Sequence, residues 1–443
     1  FLPSGDVFTI QQEHFLINQF RGNQMHGSAN NLYLRIYKED GIHAYPMLGI
    51  LSDSILSYNE HVLVFSGSIE GISYKVTFCP SGDAWLWNVA LEGSCPQELD
   101  VVYGQDLGVA EDGGVYANEL YMSQYLGHSI LEGPFGTVVC SRQNQPCGGC
   151  FPYVQQGTIG IRAAHYSTDG LQFFGLSYRE TNIPDALSHD LADRNLQYEF
   201  AYTALQTERF VLSGMKEFAF YGIFKKNHPD KISGLEYQEE LAVAFKTAQA
   251  RIAVAAPLHT SSVQRSAQFG APFCSADFTE EEVAAHFPDR MLEERFDNKL
   301  FSFFTDDYAH VVTKQKELHC ERPHGTIVIT PPDTEHVSGN LISSTQYMDG
   351  IFTSHVVIGN TNLHKFISTP RGFLDLFKNS GQRIWIRIDG TYRMLSVPGL
   401  YEMGMNYGKW FYKIKTDVLT VVSYTAADSP DLILELHSEQ GIA

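Results

Sequence analysis

The sharpest-looking short motif in this 443-residue sequence that could carry chemistry is Cys147-Gly-Gly-Cys150. Two cysteines at that spacing make a zinc knuckle only with a second pair at comparable spacing, and none exists. A thioredoxin-like redox motif needs a βαβ context, which the neighbouring residues lack. The expectation is a turn that carries two thiols. His319, Cys320 and His324 offer two imidazoles and a thiolate, adequate metal ligands. Their segment reads as a strand end entering Arg322-Pro323, where neighbouring side chains diverge, and no metal is expected. Glycoside chemistry needs two carboxylates, one as acid and one as base or nucleophile. Asp306-Asp307 are adjacent and would face opposite sides of a strand, while Glu280 to Glu282 are better explained by helix capping. No catalytic residue is assigned. No Gly-rich phosphate loop, HExxH pair or GxSxG elbow occurs.

Two polar–aromatic stretches hold a different inventory. One runs from Tyr103-Gly-Gln-Asp106 to Asn118-Glu-Leu-Tyr121-Met-Ser-Gln-Tyr125, the other is Ser141-Arg142-Gln143-Asn144-Gln145-Pro146. Aromatic rings lie against the C–H faces of sugars, while Asn, Gln, Asp and Arg read hydroxyls, and both stretches sit in loop-like contexts. Ordinary turn chemistry with half-buried tyrosines would use the same residues.

The elements that must position these residues are mostly strands. Ile72, Tyr74, Val76 and Phe78 alternate with Ser73, Lys75 and Thr77. After a Ser81-Gly82-Asp83 turn, Trp85, Trp87, Val89 and Leu91 repeat the pattern, as do Tyr198, Phe200, Tyr202 and then Phe218, Phe220. Strands with one dry face and Gly-rich turns predict antiparallel sandwich sheets. The pattern changes at Ser233-x-x-Glu236, a capping box, after which Tyr237, Leu241, Ala244, Ala248 and Ile252 recur at helical spacing until Pro257. A second box, Thr279-x-x-Glu282, predicts another helix, which Pro288 interrupts. From about residue 300 alternation returns; Ile384, Ile386 and Ile388 run into Asp389-Gly390, a type I′ hairpin signal, then Tyr392 and Met394. The expected layout is an N-terminal β-sandwich over 1–232, a helical connector over 233–298 and a second β-sandwich-like domain, truncated, over 299–443.

Composition bounds the rest. A hydrophobic share of 44% can build real cores, and no apolar run reaches the roughly 20 residues of a membrane span. Phe1 is not followed by a charged n-region and an apolar h-region, so the start is expected to be a fragment boundary and not a signal peptide. Seven cysteines cannot all pair within the chain, which with no export signal suits a reducing cytoplasm. A formal charge of −20, from 51 acidic and 31 basic residues, disfavours nucleic acid and anionic membranes as partners but leaves neutral sugars open.

At these same stretches the sequence resembles a known family. Asn31-Leu-Tyr-Leu-Arg-Ile36, Asp40-Gly-Ile-His-Ala-Tyr-Pro46 and Tyr103-Gly-Gln-Asp-Leu-Gly108 are similar to the N-terminal region of 1,2-β-oligoglucan phosphorylases of glycoside hydrolase family 94. So are Ser141-Arg-Gln-Asn-Gln-Pro146, Ser302-Phe-Phe304 and Glu321-Arg-Pro-His-Gly325, and the likeness runs from about residue 17 to residue 425. The resemblance implies a mostly β fold, a galactose-mutarotase-like antiparallel β-supersandwich followed by helical linkers, with a separate (α/α)₆ barrel downstream. It also implies inverting phosphorolysis, in which an Asp of the barrel protonates the glycosidic oxygen and inorganic phosphate attacks the anomeric carbon. Phosphate is the co-substrate and no cofactor is needed.

A barrel needs about a dozen long amphipathic helices, and this sequence offers two or three helical stretches. The chain is therefore expected to be the inactive front part of a longer enzyme, with a β-glucan oligosaccharide and its own missing barrel as partners, and a homodimer compatible with both. In related phosphorylases a sandwich loop with an Arg next to a Gln reaches the acceptor side of the active site. Arg142 and Gln143 fit that description, and Asn144, Asn118 and Tyr121 are companions chosen from side-chain chemistry. Two other readings stand beside this one: a non-catalytic carbohydrate-binding or scaffolding module, and a mutarotase- or epimerase-like enzyme, which would need a His and a Glu converging in a groove.

Overall fold

The computed structural model describes residues 1–117, 119–198, 200–254, 258–263, 268–337, 339, 341–349, 355–358, 365–367 and 384–439. Two compact units emerge, Phe1–Gly175 with Ile183–Arg265, and Leu176–Asn182 with Ser266–Ala443. Strands dominate both, as the alternation predicts.

In the first unit the described residues form a thirteen-stranded sheet. It includes β1 (Asn31–Lys38), β2 (Ile72–Ser81), β3 (Ala84–Asp106) and β4 (Leu126–Gly133). It continues through β5 (Gly136–Gln143), β6 (Tyr153–Ile159), β7 (Ala201–Thr207) and β8 (Phe210–Lys225). The long β3 is the spine. Its first half lies between β2 and β8, and its second half pairs with β1 and β7. Glycines mark the transfer, since Gly93 faces Gly214 at a register shift of β8, where missing side chains let a strand bend. Trp85, Trp87, Val89 and Leu91 from one half and Leu99, Val101 and Tyr103 from the other enter a single core with Ile72, Tyr74, Val76, Phe78, Phe218 and Phe220. Phe200 and Tyr202 are buried too, whereas Tyr198 lies outside the strand and is exposed. The close approach at Gly222 is obligatory, because a Cβ there would come within 2.0 Å of the Trp85 ring.

Helix α1 (Gln238–Val254) buries Leu241, Ala244 and Ala248. It packs on the first unit's sheet, where Leu241 and Ala248 meet Val62, Val64, Cys79, Leu86 and Tyr221. The expected capping box at Ser233 does not form. Tyr237 takes a left-handed φ of 62°, which no helix can run through, and its carbonyl accepts the first bond, from Leu241 N. Glu236, which would have completed the box, instead lies 3.4 Å from His228 Nε2.

In the second unit, helix α2 (Glu280–His286) opens with the predicted box, Thr279 accepting from Glu282 N while the Glu282 carboxylate accepts from Thr279 N. A seven-stranded antiparallel sheet follows, comprising β9 (Met291–Phe296), β10 (Lys299–Phe304), β11 (His310–Thr313), β12 (Leu400–Gly404), β13 (Tyr407–Ile414), β14 (Asp417–Thr425) and β15 (Leu432–Ser438). Both faces are dry in its middle. On β13, Trp410 and Tyr412 join one cluster with Tyr401 and Leu419, while Phe411 joins another with Val283, Phe287 and Phe303. The Asp389-Gly390 hairpin forms between Trp385–Ile388 and Thr391–Met394, with both turn residues at positive φ.

Two of the resemblance motifs, those holding Arg35 and His324, engage buried carboxylates. Arg35 pairs with Asp100 where both side chains are wholly buried. His324 Nδ1 and backbone N lie 2.7 and 3.0 Å from Glu317 Oε2. His319 points elsewhere, its ring 5.0 Å from that of Phe296. Among the described residues no three His, Cys, Asp or Glu side chains converge to hold a metal ion.

Candidate functional site

The Tyr121–Tyr125 end of the first polar–aromatic stretch meets the second stretch at one end of the first unit, because β4 pairs antiparallel with β5, whereas Tyr103, Gln105 and Asp106 are not loop-like but lie buried in β3. Leu126 faces Gln143 and Gly127 faces Arg142. Asn144 N then donates to Tyr125 O at 3.1 Å, tying the loop after β5 to the short helix Glu119–Ser123 that precedes β4.

Arg142 is built into a fixed position. Its Nε donates to His228 O at 2.7 Å, one terminal nitrogen to Pro229 O at 2.8 Å and the other to Asn144 Oδ1 at 2.8 Å. The guanidinium carbon lies 4.3 Å from the Phe151 ring centroid, a cation–π distance. A guanidinium has about five N–H donors, so this clamp orients the plane and still leaves N–H groups at a half-exposed edge. The 228–229 segment is in turn held by His228, whose N donates to Phe151 O and whose ring stacks on Tyr153 at 4.7 Å.

Gln143 does something else. Its side chain is fully buried, its Nε2 donates to Met122 O at 3.0 Å and its Oε1 accepts from Gln145 N at 3.0 Å. Both amide ends are used within the protein, so Gln143 positions the helix and the loop. Asn144 is exposed beside Arg142. Tyr121 is 49% exposed, and its ring makes an edge contact with Tyr125 at 5.4 Å. Asn118 lies outside the described residues. Under this surface His128 sits across the strands from Ser141, its Nδ1 2.8 Å from the hydroxyl, and burial pulls its pKa down to about 4. It is neutral at neutral pH.

Arg142, Asn144, Tyr121, Tyr125 and Phe151 thus present one amphipathic surface: two tyrosine rings, one phenylalanine ring, one guanidinium edge and one amide. Phe151 was not singled out from sequence, although an aromatic directly after a tight turn is a readable signal. The carbonyls of His228 and Pro229 carry none, being more than eighty residues away. As for a His beside a Glu, His14 Nε2 lies 3.8 Å from Glu111 on the exposed surface, His228 Nε2 lies 3.4 Å from Glu236 beside the Arg142 clamp, and His324 is paired with a Glu317 that is wholly buried.

Comparison with known proteins agrees with this architecture. Residues 1–222 match the model of the SOGP N-terminal domain, and residues 287–443 match that of the glycoside phosphorylase supersandwich domain. A 1,2-beta-oligoglucan phosphorylase of Listeria innocua serovar 6a is 36% identical over 442 residues, covering 100% of this chain and 39% of that protein. The chain spans about two fifths of the length of that curated relative. Among solved structures a polysaccharide lyase aligns with 98% of this chain and 46% of its own at 8% identity, with a TM-score of 0.32, too low to carry an argument. With one family model over half its length and the supersandwich domain following in order, the chain belongs to the SOGP family of glycoside phosphorylases.

Proposed function

We propose that this chain is the carbohydrate-contacting front part of a glycoside phosphorylase of family 94 that reversibly phosphorolyses β-1,2-linked oligoglucans to glucose 1-phosphate with inversion. The acid that protonates the glycosidic oxygen and the groups that hold phosphate belong, on this reading, to an (α/α)₆ barrel of the full-length protein. Inorganic phosphate, already a nucleophile, needs no catalytic base. The contribution of this chain is to present Arg142, Asn144, Tyr121 and Tyr125 to the acceptor end of the glucan, with Gln143 as the positioning residue behind them.

The observation that supports this reading most directly is the clamp on Arg142. A guanidinium already oriented by two carbonyls, an amide oxygen and a ring loses little further freedom on binding a vicinal diol, and the neighbouring tyrosine faces suit pyranose C–H surfaces. The test is to incubate the full-length protein with β-1,2-oligoglucan and inorganic phosphate and measure glucose 1-phosphate. Product from β-1,2-oligoglucans is expected. Product only from another linkage overturns the substrate, and product from no β-glucan overturns the phosphorylase reading. Calorimetry of this chain with the same oligoglucan tests the contact surface separately; a flat trace with an active full-length protein would leave the chain a scaffold.

A further inference from the structure

Cys147 and Cys150 face each other across a two-residue reversal in the first unit. Cys147 N donates to Cys150 O and Cys150 N to Cys147 O, each at 2.9 Å, so they form a hydrogen-bonded antiparallel pair. Gly148 and Gly149 supply the two left-handed positions between them, at φ of 56° and 80°, as a type I′ turn demands. Cα atoms in such a pair stand about 5.5 Å apart, inside the roughly 4.4–6.8 Å range that disulfides span. Both sulfurs are free thiols. They are not equivalent. Cys147 is buried at 4% exposure, and burial pushes its thiol pKa up. Cys150 is partly exposed.

We propose that Cys147 and Cys150 form a redox modification site that closes to an intramolecular disulfide on reaction with a low-molecular-weight disulfide. The accessible Cys150, as thiolate, attacks one sulfur of the oxidant, breaking its S–S bond and expelling one thiolate. Cys147 then gives up its proton and attacks the Cys150 sulfur of the mixed disulfide, expelling the second thiolate. The protein loses two hydrogens with their electrons and the oxidant leaves as two thiols. Because the two sulfurs already sit on facing residues, the second step needs side-chain rotation and no strand movement. The closed turn lies one short loop from Gln143, where Gln145 N already bonds, so oxidation would stiffen the support of Arg142.

The experiment uses the whole chain and oxidised glutathione as the probe, with alkylation of remaining thiols and tryptic digestion. Cleavage after Arg142 and Arg162 releases residues 143–162, which contain these two cysteines and no other. The expected product is an unalkylated peptide about 2 Da lighter than the dithiol, while the exposed, isolated Cys95 carries only a glutathione adduct. Cys147→Ser is expected to trap glutathione on Cys150, and Cys150→Ser to slow adduct formation at position 147 by about tenfold or more, following its burial. A peptide that stays doubly alkylable once Cys95 has reacted, or that carries two glutathiones, overturns the proposal. The wild-type mass alone decides this even if a variant fails to fold.

Discussion

Asp100→Ala is expected to be among the most damaging single changes in the first unit. Asp100 and Arg35 are both wholly buried. Asp100 Oδ1 accepts from Arg35 Nε at 2.8 Å, and Oδ2 accepts from Arg35 at 2.7 Å, from the Tyr37 hydroxyl at 2.6 Å and from Gln206 Nε2 at 3.0 Å. Removing the carboxylate strands a guanidinium away from water, a change that costs about 3–5 kcal/mol. Asp190, 3.6 Å from Arg35 and 37% exposed, offsets part of the loss, so the expected value is near the lower end, about 3 kcal/mol. With an m-value of about 3 kcal/mol per molar urea, the unfolding midpoint of the first unit should fall by about 1 M. Tryptophan fluorescence reads it, since Trp85 and Trp87 lie in that core. The double replacement Arg35→Met with Asp100→Leu should recover most of the loss, because hydrophobic replacements of a buried pair are often neutral or stabilising. A single variant within about 0.3 M of wild type would show that the pair is solvated or dispensable, and the reasoning would fail.

Three further outcomes follow from local geometry. His128 is held neutral with its pKa pulled down to about 4, while an unfolded His binds its proton near 6.5. Between those values the unfolded state carries the extra proton, so stability falls as pH drops from about 6.5 to 4. Buried Asp106, pushed up to about 6, acts in the opposite sense in an overlapping window, and the contribution of His128 is therefore read as the difference from His128→Gln at each pH by urea unfolding; no pH-dependent difference would refute it. Thr279→Ala should cost about 1 kcal/mol through loss of the α2 cap while Thr279→Ser costs far less, measured on the second unit's thermal transition. Arg142→Lys keeps the charge but cannot hold Nε to His228 O, both terminal nitrogens and the Phe151 stack together; oligoglucan affinity by calorimetry should drop about tenfold or more, with a stability loss of about 1–2 kcal/mol from the lost bonds.

What the sequence determined by itself are features whose physics is short-ranged. Ile72 to Phe78 and Trp85 to Leu91 alternate because a strand repeats every two residues, and both sets occupy the core the alternation assigned them. Thr279-x-x-Glu282 closes its box because every atom involved lies within three residues. Cys147 to Cys150 and Asp389-Gly390 are turns because their central residues tolerate positive φ. Only the tertiary structure decided the features that depend on long closures. The box at Ser233 has the same local grammar as that at Thr279, yet His228 and the left-handed Tyr237 draw Glu236 and the backbone away. Arg35 shows nothing in sequence that points to a carboxylate 65 residues on, and Arg142 shows nothing that points to carbonyls at 228 and 229. In the same way Gln143, adjacent to Arg142 and chemically as plausible a sugar ligand, is turned inward because alternate residues of β5 face opposite sides, and the buried side must satisfy its amide on Met122 and Gln145.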